Sequence, residues 1–180
     1  MEIKAGLIGS THSNSFLSES IQFFMRLWNY LRYKEPKSTP SSHSFMVLPM
    51  KLLGLQVVES NKNGPEIKQF DMTGYRNSKN VIWMEPKVPW TNDEIRRMVN
   101  RMKEFKHIPY DSLNFIYQMH MICSPEQEWK GPTGKEAEKA IYCSELVAYL
   151  LNSSGRKFFD KPWAVNPEDI KHHRWLKIYS

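Results

Sequence analysis

The sequence predicts an α+β fold, because short apolar strands separated by turns accompany amphipathic helices that have capping signals. Residues 45–50 and 53–60 are apolar runs of strand length. Residues 91–106 combine a capping box with apolar residues at helical spacing. The chain has 180 residues, of which 41% are hydrophobic, and this suffices for one compact domain with its own core. We expect residues 1–180 to form that single domain.

The first quarter of the chain is predicted to contain a strand, a helix and a polar loop. Residues 3–9 form a short apolar run that is typical of a strand. A helix follows, capped by Ser15 or Ser18. Its apolar side chains recur three or four residues apart, at Ile21, Phe24, Met25, Trp28 and Leu31. Residues 32–42 contain prolines, serines and charges, and this composition indicates a loop.

His43 and Glu59 lie on two neighbouring predicted strands. His43 opens the run at residues 45–50, and Glu59 lies near the end of residues 53–60. If these strands pair through the turn at residues 49–54, His43 and Glu59 face each other. A carboxylate in that place can hold an imidazole in one tautomer. The alternative is a structural histidine and a carboxylate exposed to water on an edge strand.

Further turns and caps divide the remaining chain. Residues 61–65 mark a tight connection to a strand at residues 66–71, and residues 79–86 are typical of another strand. Residues 166–169 combine a cap, a proline and two acids at the start of a short helix. Residues 175–179 alternate in polarity and indicate a final edge strand.

Residues 140–151 are predicted to form a helix that begins close to Cys143. Apolar residues recur there at helical spacing, and Gly155 supplies a C-terminal stop. In the first turn of a helix, unpaired backbone N–H groups and the positive end of the dipole favour a thiolate. This position makes Cys143 a candidate nucleophile. The alternative is that Cys143 is one more small buried residue, which is how we interpret Cys123.

Composition excludes several classes of protein. Two cysteines provide neither a disulfide framework nor the ligands of a structural zinc site, so we expect no metal and no cofactor. The N-terminus lacks the pattern of a signal peptide, and no apolar run approaches the roughly 20 residues of a membrane span. We therefore expect a cytoplasmic, reducing setting. The net charge of +6 is spread along the chain, which does not indicate specific binding to nucleic acid.

Three separated stretches resemble one known family. Residues 142–147 (YCSELV) resemble the Cys-Ser-Glu-Leu/Phe-Val signature of the circularly permuted NlpC/P60 papain-like proteins, the YiiX-like group of thiol hydrolases. Residues 42–48 (SHSFMVL) are similar to that family's Ser-His-x-x-(apolar) strand. Residues 57–60 (VVES) are similar to its next strand, which carries an acidic residue. The order of histidine, then glutamate, then cysteine matches the family and reverses that of papain.

The resemblance covers about residues 5–170 and implies a papain-like fold. An antiparallel sheet or small barrel would pack against helices, with the catalytic cysteine at a helix N-terminus. Residues 107–111 (HIPYD) resemble the family's turn that brings a tyrosine into the active site, which makes Tyr110 a candidate substrate-positioning residue. The alternative for Tyr110 is a half-buried aromatic ring at a turn. Residues 166–170 resemble a Thr/Ser-Pro-x-Asp-Leu segment of the family.

The function that this resemblance implies is hydrolysis of an amide or peptide bond, for example in a cell-wall-type peptide. Cys143 would attack as thiolate, His43 would move the proton, and Glu59 would orient the imidazole. Two alternatives stay open. One is a lipid or other acyltransferase, or an esterase, of the same fold, which would be expected to add an apolar membrane anchor. The other is a basic binding module without catalysis.

Overall fold

The described part of the chain forms a six-stranded antiparallel sheet with helices packed against it. The structure is a computed structural model, and it describes residues 4–11, 16–34, 41–50, 53–70, 74, 75, 78, 80–112, 117, 132, 133 and 135–179, with the backbone alone at 16–20. The strands are β1 (Ile8–Thr11), β2 (His43–Met50), β3 (Gly54–Asn61), β4 (Gly64–Gln69), β5 (Val81–Pro86) and β6 (Leu176–Ile178). The α-helices are α1 (Phe16–Trp28), α2 (Asn92–Phe105), α3 (Cys143–Ser153) and α4 (Pro167–Lys171). A π-helical turn, Asn29–Tyr33, continues α1, and 3-10 turns lie at Ala137–Lys139 and Pro162–Ala164. The predicted α+β class is confirmed.

The strand order is β4-β3-β2-β1-β5-β6, and every neighbouring pair is antiparallel. The strand β3 lies between β2 and β4, so Glu59 is on an interior strand, and the edge-strand alternative for this residue is wrong. The predicted final edge strand is present as β6. The predicted first strand begins later than expected, at Ile8, because Gly6 adopts a φ of +82° and turns the chain just before it.

Alternation along the strands produces two apolar clusters on opposite sides of the sheet. The helix-side cluster joins Met46 and Leu48 of β2 to buried residues of α2 and α3. The outer cluster joins Phe45 and Val47 to side chains such as Trp83 of β5. The sheet is therefore buried on both faces around β2, and the helices α2 and α3 are fixed against the strand that begins with His43.

The helix α2 begins at the predicted capping box. Thr91 Oγ1 accepts from the N–H of Glu94 at 3.3 Å, and the Glu94 carboxylate accepts from the N–H of Thr91 at 2.8 Å. At the end of α3, the Arg97 guanidinium donates to the carbonyl of Ser154 through Nε at 2.9 Å. Arg97, which is exposed, thus satisfies a carbonyl at a helix C-terminus.

Among the helices that the structure describes, none has both the length and the apolar character needed to span a bilayer. Cys123, which the sequence analysis interprets as a small buried residue, lies outside the described residues.

Candidate active site

The backbone just before Cys143 is held on both sides by other elements. The N–H of Ile141 donates to the carbonyl of Pro109 at 2.9 Å, and its carbonyl accepts from Ser60 Oγ of β3 at 2.7 Å. The chain at Tyr142 is extended, with a ψ of 177°, and α3 begins at the next residue. Cys143 is therefore the first residue of the helix, as the sequence predicts, and the residue is only 6% exposed. Its position is fixed by the sheet as well as by the helix.

A second anchor lies on the other side of the cysteine. The hydroxyls of Tyr142 and Ser144 both donate to the carbonyl of Val165, each at 2.8 Å. Val165 immediately precedes Asn166, which caps α4. The start of α3 is thus tied to the segment that leads into α4.

His43 is the first residue of β2, and its ring lies between a thiol and a carboxylate. The imidazole lies beside the Cys143 side chain, close enough for each group to shift the pKa of the other. Its Nε2 lies 2.7 Å from Glu59 Oε2. Since the carboxylate only accepts, Nε2 carries a hydrogen, and Nδ1 is the nitrogen left for the thiol. The structure therefore brings together the three residues that the sequence singles out.

The register of β2 and β3 explains how Glu59 reaches the ring. Glu59 lies opposite Phe45, two residues beyond His43, so His43 and Glu59 are diagonal neighbours on one face. The sequence predicts that His43 and Glu59 lie directly opposite each other, but in the structure their contact is diagonal. Glu59 is only 2% exposed. A buried carboxylate needs hydrogen-bonding partners to remain ionised, and it has three.

Lys68 and Tyr75 are the two partners of Glu59 that the sequence analysis missed. Lys68 Nζ of β4 lies 2.6 Å from Glu59 Oε1 and 2.7 Å from a Glu66 oxygen. The Tyr75 hydroxyl donates to Glu59 Oε2 at 2.9 Å. The Tyr75 ring is stacked on Phe45, with 4.3 Å between centroids and an interplanar angle of 14°. This stacking directs the hydroxyl towards the carboxylate.

The contact between Lys68 and Glu59 could have been predicted from the length of the turn between β3 and β4. The strand β3 ends at Asn61 and β4 begins at Gly64, so only two residues connect them. Pairing the two strands outward from that turn places Glu66 opposite Glu59, and Lys68 is then a diagonal neighbour of Glu59. Tyr75 has no comparable signal, because it lies outside any strand and reaches Glu59 through tertiary packing on Phe45.

The thiol and the imidazole shift each other's pKa. Burial alone would raise the pKa of Cys143, but the charge and hydrogen bond of His43, followed by the N–H groups of Ser44 and Ser144, lower it. Burial alone would lower the pKa of His43, but the Cys143 thiolate, followed by Glu59, raises it to about 10. The site therefore favours thiolate and imidazolium over thiol and imidazole.

Glu59 is ionised at neutral pH. Burial opposes ionisation, but His43 and then Lys68 lower the pKa of Glu59 to about 2. The same carboxylate contributes to the raised pKa of Tyr75, after the larger effect of burial. The Tyr75 hydroxyl therefore stays protonated and remains a donor.

Tyr110 lies beside the thiol, at a turn that a glycine holds in place. Its pKa is raised by burial first and by the charge of Cys143 second. Gly64, at the start of β4, has a φ of +93°, and a Cβ there would stand 2.3 Å from the carbonyl oxygen of Ile108. The turn between β3 and β4 thus packs directly on the segment that carries Tyr110.

A small cavity of about 30 Å³ opens beside the thiol. Its lining is mostly apolar and includes Ile21 and Met25 of α1 together with Tyr110, Tyr142, Cys143 and Asn166. The cavity places Cys143 and Tyr110 on one enclosed surface.

The fold is similar to a solved structure of YiiX from Escherichia coli O157:H7, which is described as a metalloprotein. The TM-score is 0.67 and the sequence identity is 15%, and the match covers 100% of this chain and 98% of the YiiX chain. No protein-family model matches the chain, and no curated protein matches it. The chain therefore has a YiiX-like fold.

Proposed function

We propose that this protein is a cysteine hydrolase that cleaves an amide or peptide bond through Cys143, His43 and Glu59. The observation that carries the proposal is the arrangement of three adjacent groups, in which the imidazole lies beside the buried thiol and is hydrogen-bonded to the buried carboxylate. The order of these residues and the YiiX-like fold support a permuted papain-like arrangement in a single domain. A cell-wall-type peptide is one substrate of this class.

In the first half of the reaction, the Cys143 thiolate attacks the carbonyl carbon of the substrate. The carbonyl oxygen takes the negative charge of the tetrahedral intermediate. The bond from carbon to nitrogen then breaks, and His43 gives its proton to the departing amine. The acyl group remains on sulfur as a thioester. Glu59 accepts from the Nε2 hydrogen throughout and so keeps Nδ1 directed at the sulfur.

In the second half, water replaces the amine. His43 removes a proton from the water as its oxygen attacks the thioester carbon. The bond from carbon to sulfur breaks, the acid leaves, and the thiolate and imidazolium are restored. The Cys143 backbone N–H belongs to the first turn of α3, where no preceding helical carbonyl accepts it, and it can donate to the negative oxygen.

A second candidate function is acyl transfer from an ester or lipid, and one observation favours it. The cavity beside the thiol is lined largely by apolar groups, including Ile21, Met25 and Pro167. Such a lining fits an aliphatic acyl group better than a charged peptide side chain. Both candidate functions pass through the same thioester on Cys143, so they differ in the acyl donor and in the acceptor.

The proposal includes no metal. Among the described residues, no three His, Cys, Asp or Glu side chains are grouped as a metal site would require. The thiol and the imidazole instead interact with each other. A free, reactive thiol also suits a reducing compartment such as the cytoplasm.

Selective alkylation tests the nucleophile. A limiting dose of iodoacetamide near pH 6 should label Cys143 far faster than Cys123, as measured by intact mass and peptide mapping. The reason is that the ion pair maintains a thiolate at Cys143 at a pH where ordinary thiols are protonated. Cys143→Ala is the control and should lose the fast label. Equal labelling of both thiols would contradict the assignment.

Trapping the acyl-enzyme separates the two candidate functions. Incubation with a peptide amide, a p-nitrophenyl ester or an acyl lipid, followed by acid quenching, should leave a mass increase on Cys143 that equals the acyl group. An adduct from the peptide amide supports the hydrolase. An adduct from esters or lipids alone, with faster turnover when an amine or alcohol is added, supports acyl transfer.

A further inference from the structure

Asn166 contributes a buried amide to the cavity beside Cys143. Its Oδ1 accepts from the N–H groups of Glu168 at 2.9 Å and Asp169 at 3.0 Å. These two donors fix the orientation of the side chain, because only the amide oxygen can accept from them. Nδ2 must therefore point away from the α4 backbone.

The Nδ2 group of Asn166 has no hydrogen-bond partner among the described residues, although it is buried. The residue is 2% exposed. Buried amide nitrogens in folded proteins are almost always hydrogen-bonded, and an unpaired one calls for an explanation. Asn166 lines the same cavity as the thiol. An acceptor that enters this cavity would satisfy the amide.

Three hydroxyl groups of the cavity lining already have partners. The Ser144 and Tyr142 hydroxyls both donate to the carbonyl of Val165. The Ser42 hydroxyl donates to the carbonyl of Thr11 at 3.3 Å. Asn166 differs from these neighbours, since its donor is unpaired and the residue lines the cavity that also contains the thiol.

We propose that Asn166 Nδ2 is a catalytic hydrogen-bond donor that binds the carbonyl oxygen of the substrate and stabilises the oxyanion formed when Cys143 attacks. This inference rests on the proposed function and adds a residue to it. As the sulfur bonds to the carbonyl carbon, the π electrons move onto oxygen, and Nδ2 donates to that oxygen together with the Cys143 N–H. When the leaving group departs, the electrons return and the hydrogen bond weakens.

The key variant is Asn166→Ser, because serine caps a helix about as well as asparagine but lacks the amide N–H. The probe is p-nitrophenyl butyrate, which acylates the thiol and releases p-nitrophenolate. The rate of the nitrophenolate burst should fall about 100-fold, as is typical when one oxyanion donor is removed. The rate of Cys143 alkylation by iodoacetamide should change less than about threefold, because alkylation forms no oxyanion and depends on the thiolate alone.

Thr91→Ala is the matched control for capping, since it removes a cap from α2 without touching the cavity. It should lower the melting temperature and leave the burst rate unchanged. A burst rate in Asn166→Ser within about threefold of wild type overturns the role of Asn166, and so does an equal loss of burst and alkylation rates, which would indicate a structural role. If the wild-type protein alkylates rapidly but shows no burst above Cys143→Ala, the proposed acyl chemistry fails, and the role of Asn166 fails with it.

Discussion

Glu59 is the residue on which the charges of the candidate site converge. One of its oxygens accepts from His43 and Tyr75, and the other accepts from Lys68. A carboxylate with these partners stays ionised and keeps the imidazole protonated, and the imidazolium in turn keeps the thiol ionised. Glu59 does not touch the sulfur, but we expect it to influence the ionisation of Cys143 through His43.

The pH dependence of Cys143 alkylation measures this chain of effects. A thiol with a lowered pKa is ionised, and hence alkylated, at a lower pH than an ordinary thiol. In His43→Ala the cation that lowers the pKa is gone while burial still raises it, so the profile should move to higher pH. We expect the rate at pH 6 to fall about tenfold or more.

Glu59→Gln should move the profile in the same direction by less. His43 then keeps its contact with the thiol but loses the carboxylate that helps to raise its pKa. His107→Ala, at an exposed histidine, is the control and should leave the profile unchanged. Identical profiles in wild type and His43→Ala would contradict the ion pair.

On the alkaline side, the imidazolium of His43 is lost only as the pH rises through about 10. The thiolate and the imidazolium therefore coexist across the neutral range.

At the level of secondary structure, the two hairpins around β3 position both halves of the site. The strand carries Glu59 towards His43 on one face, and its next residue, Ser60, bonds the backbone that leads into α3. Adjacent residues of a strand point to opposite faces. A shift of β3 by one residue would therefore disturb the acid and the helix start together.

Two glycine variants separate backbone strain from steric contact in these hairpins. Gly54 and Gly64 both have positive φ, at +69° and +93°, but a Cβ at Gly54 would meet nothing within 4 Å. Gly54→Ala should cost about 1 kcal/mol of unfolding free energy, from strain alone. Gly64→Ala should cost more, about 3 kcal/mol, because its Cβ would also strike the Ile108 carbonyl. Denaturant unfolding measures both values, and equal costs would show that the contact at Ile108 is unimportant.

The elements of this fold could be predicted wherever a local signal exists. The start of α3 follows from the apolar spacing after Cys143, and that of α2 from the capping box at Thr91. The pairing of His43 with Glu59 follows from two adjacent strands and the turn between them. What sequence patterns do not give is a contact made across the tertiary structure. Tyr75 therefore escaped prediction, as did the free amide of Asn166, since its capping role alone is visible in the sequence.

At the scale of the whole molecule, many of the described cations are paired with nearby acids. Arg101 pairs with Glu104 and Glu138, and Arg156 pairs with Glu94. Additional pairs join Arg96 to Asp93, Lys139 to Glu136, Lys157 to Asp160 and Lys177 to Glu85. Paired cations attract phosphates less than a row of unpaired ones does. The net charge of +6 therefore does not imply a surface that binds nucleic acid.

Binding to nucleic acid can be checked directly. A labelled DNA duplex and a labelled RNA single strand, each titrated by fluorescence anisotropy, should show no complex at roughly 150 mM salt, because few phosphates are neutralised. Weak association at low salt should disappear as salt is added. A tight complex with a steep salt dependence, unchanged in Cys143→Ala, would instead support the basic binding module.

The distance along the chain between the proposed nucleophile and its proposed base affects the protein during its synthesis. Cys143 follows His43 by 100 residues, and the carbonyl that holds the Tyr142 and Ser144 hydroxyls belongs to Val165, which is made later still. Synthesis proceeds at about 5–20 residues per second. Until Val165 has emerged and the sheet has closed, Cys143 is an ordinary thiol that is mostly protonated at neutral pH. On the proposed mechanism, the nascent chain therefore has only the reactivity of an ordinary thiol at Cys143, and the thiolate–imidazolium pair forms once the surfaces around it have closed.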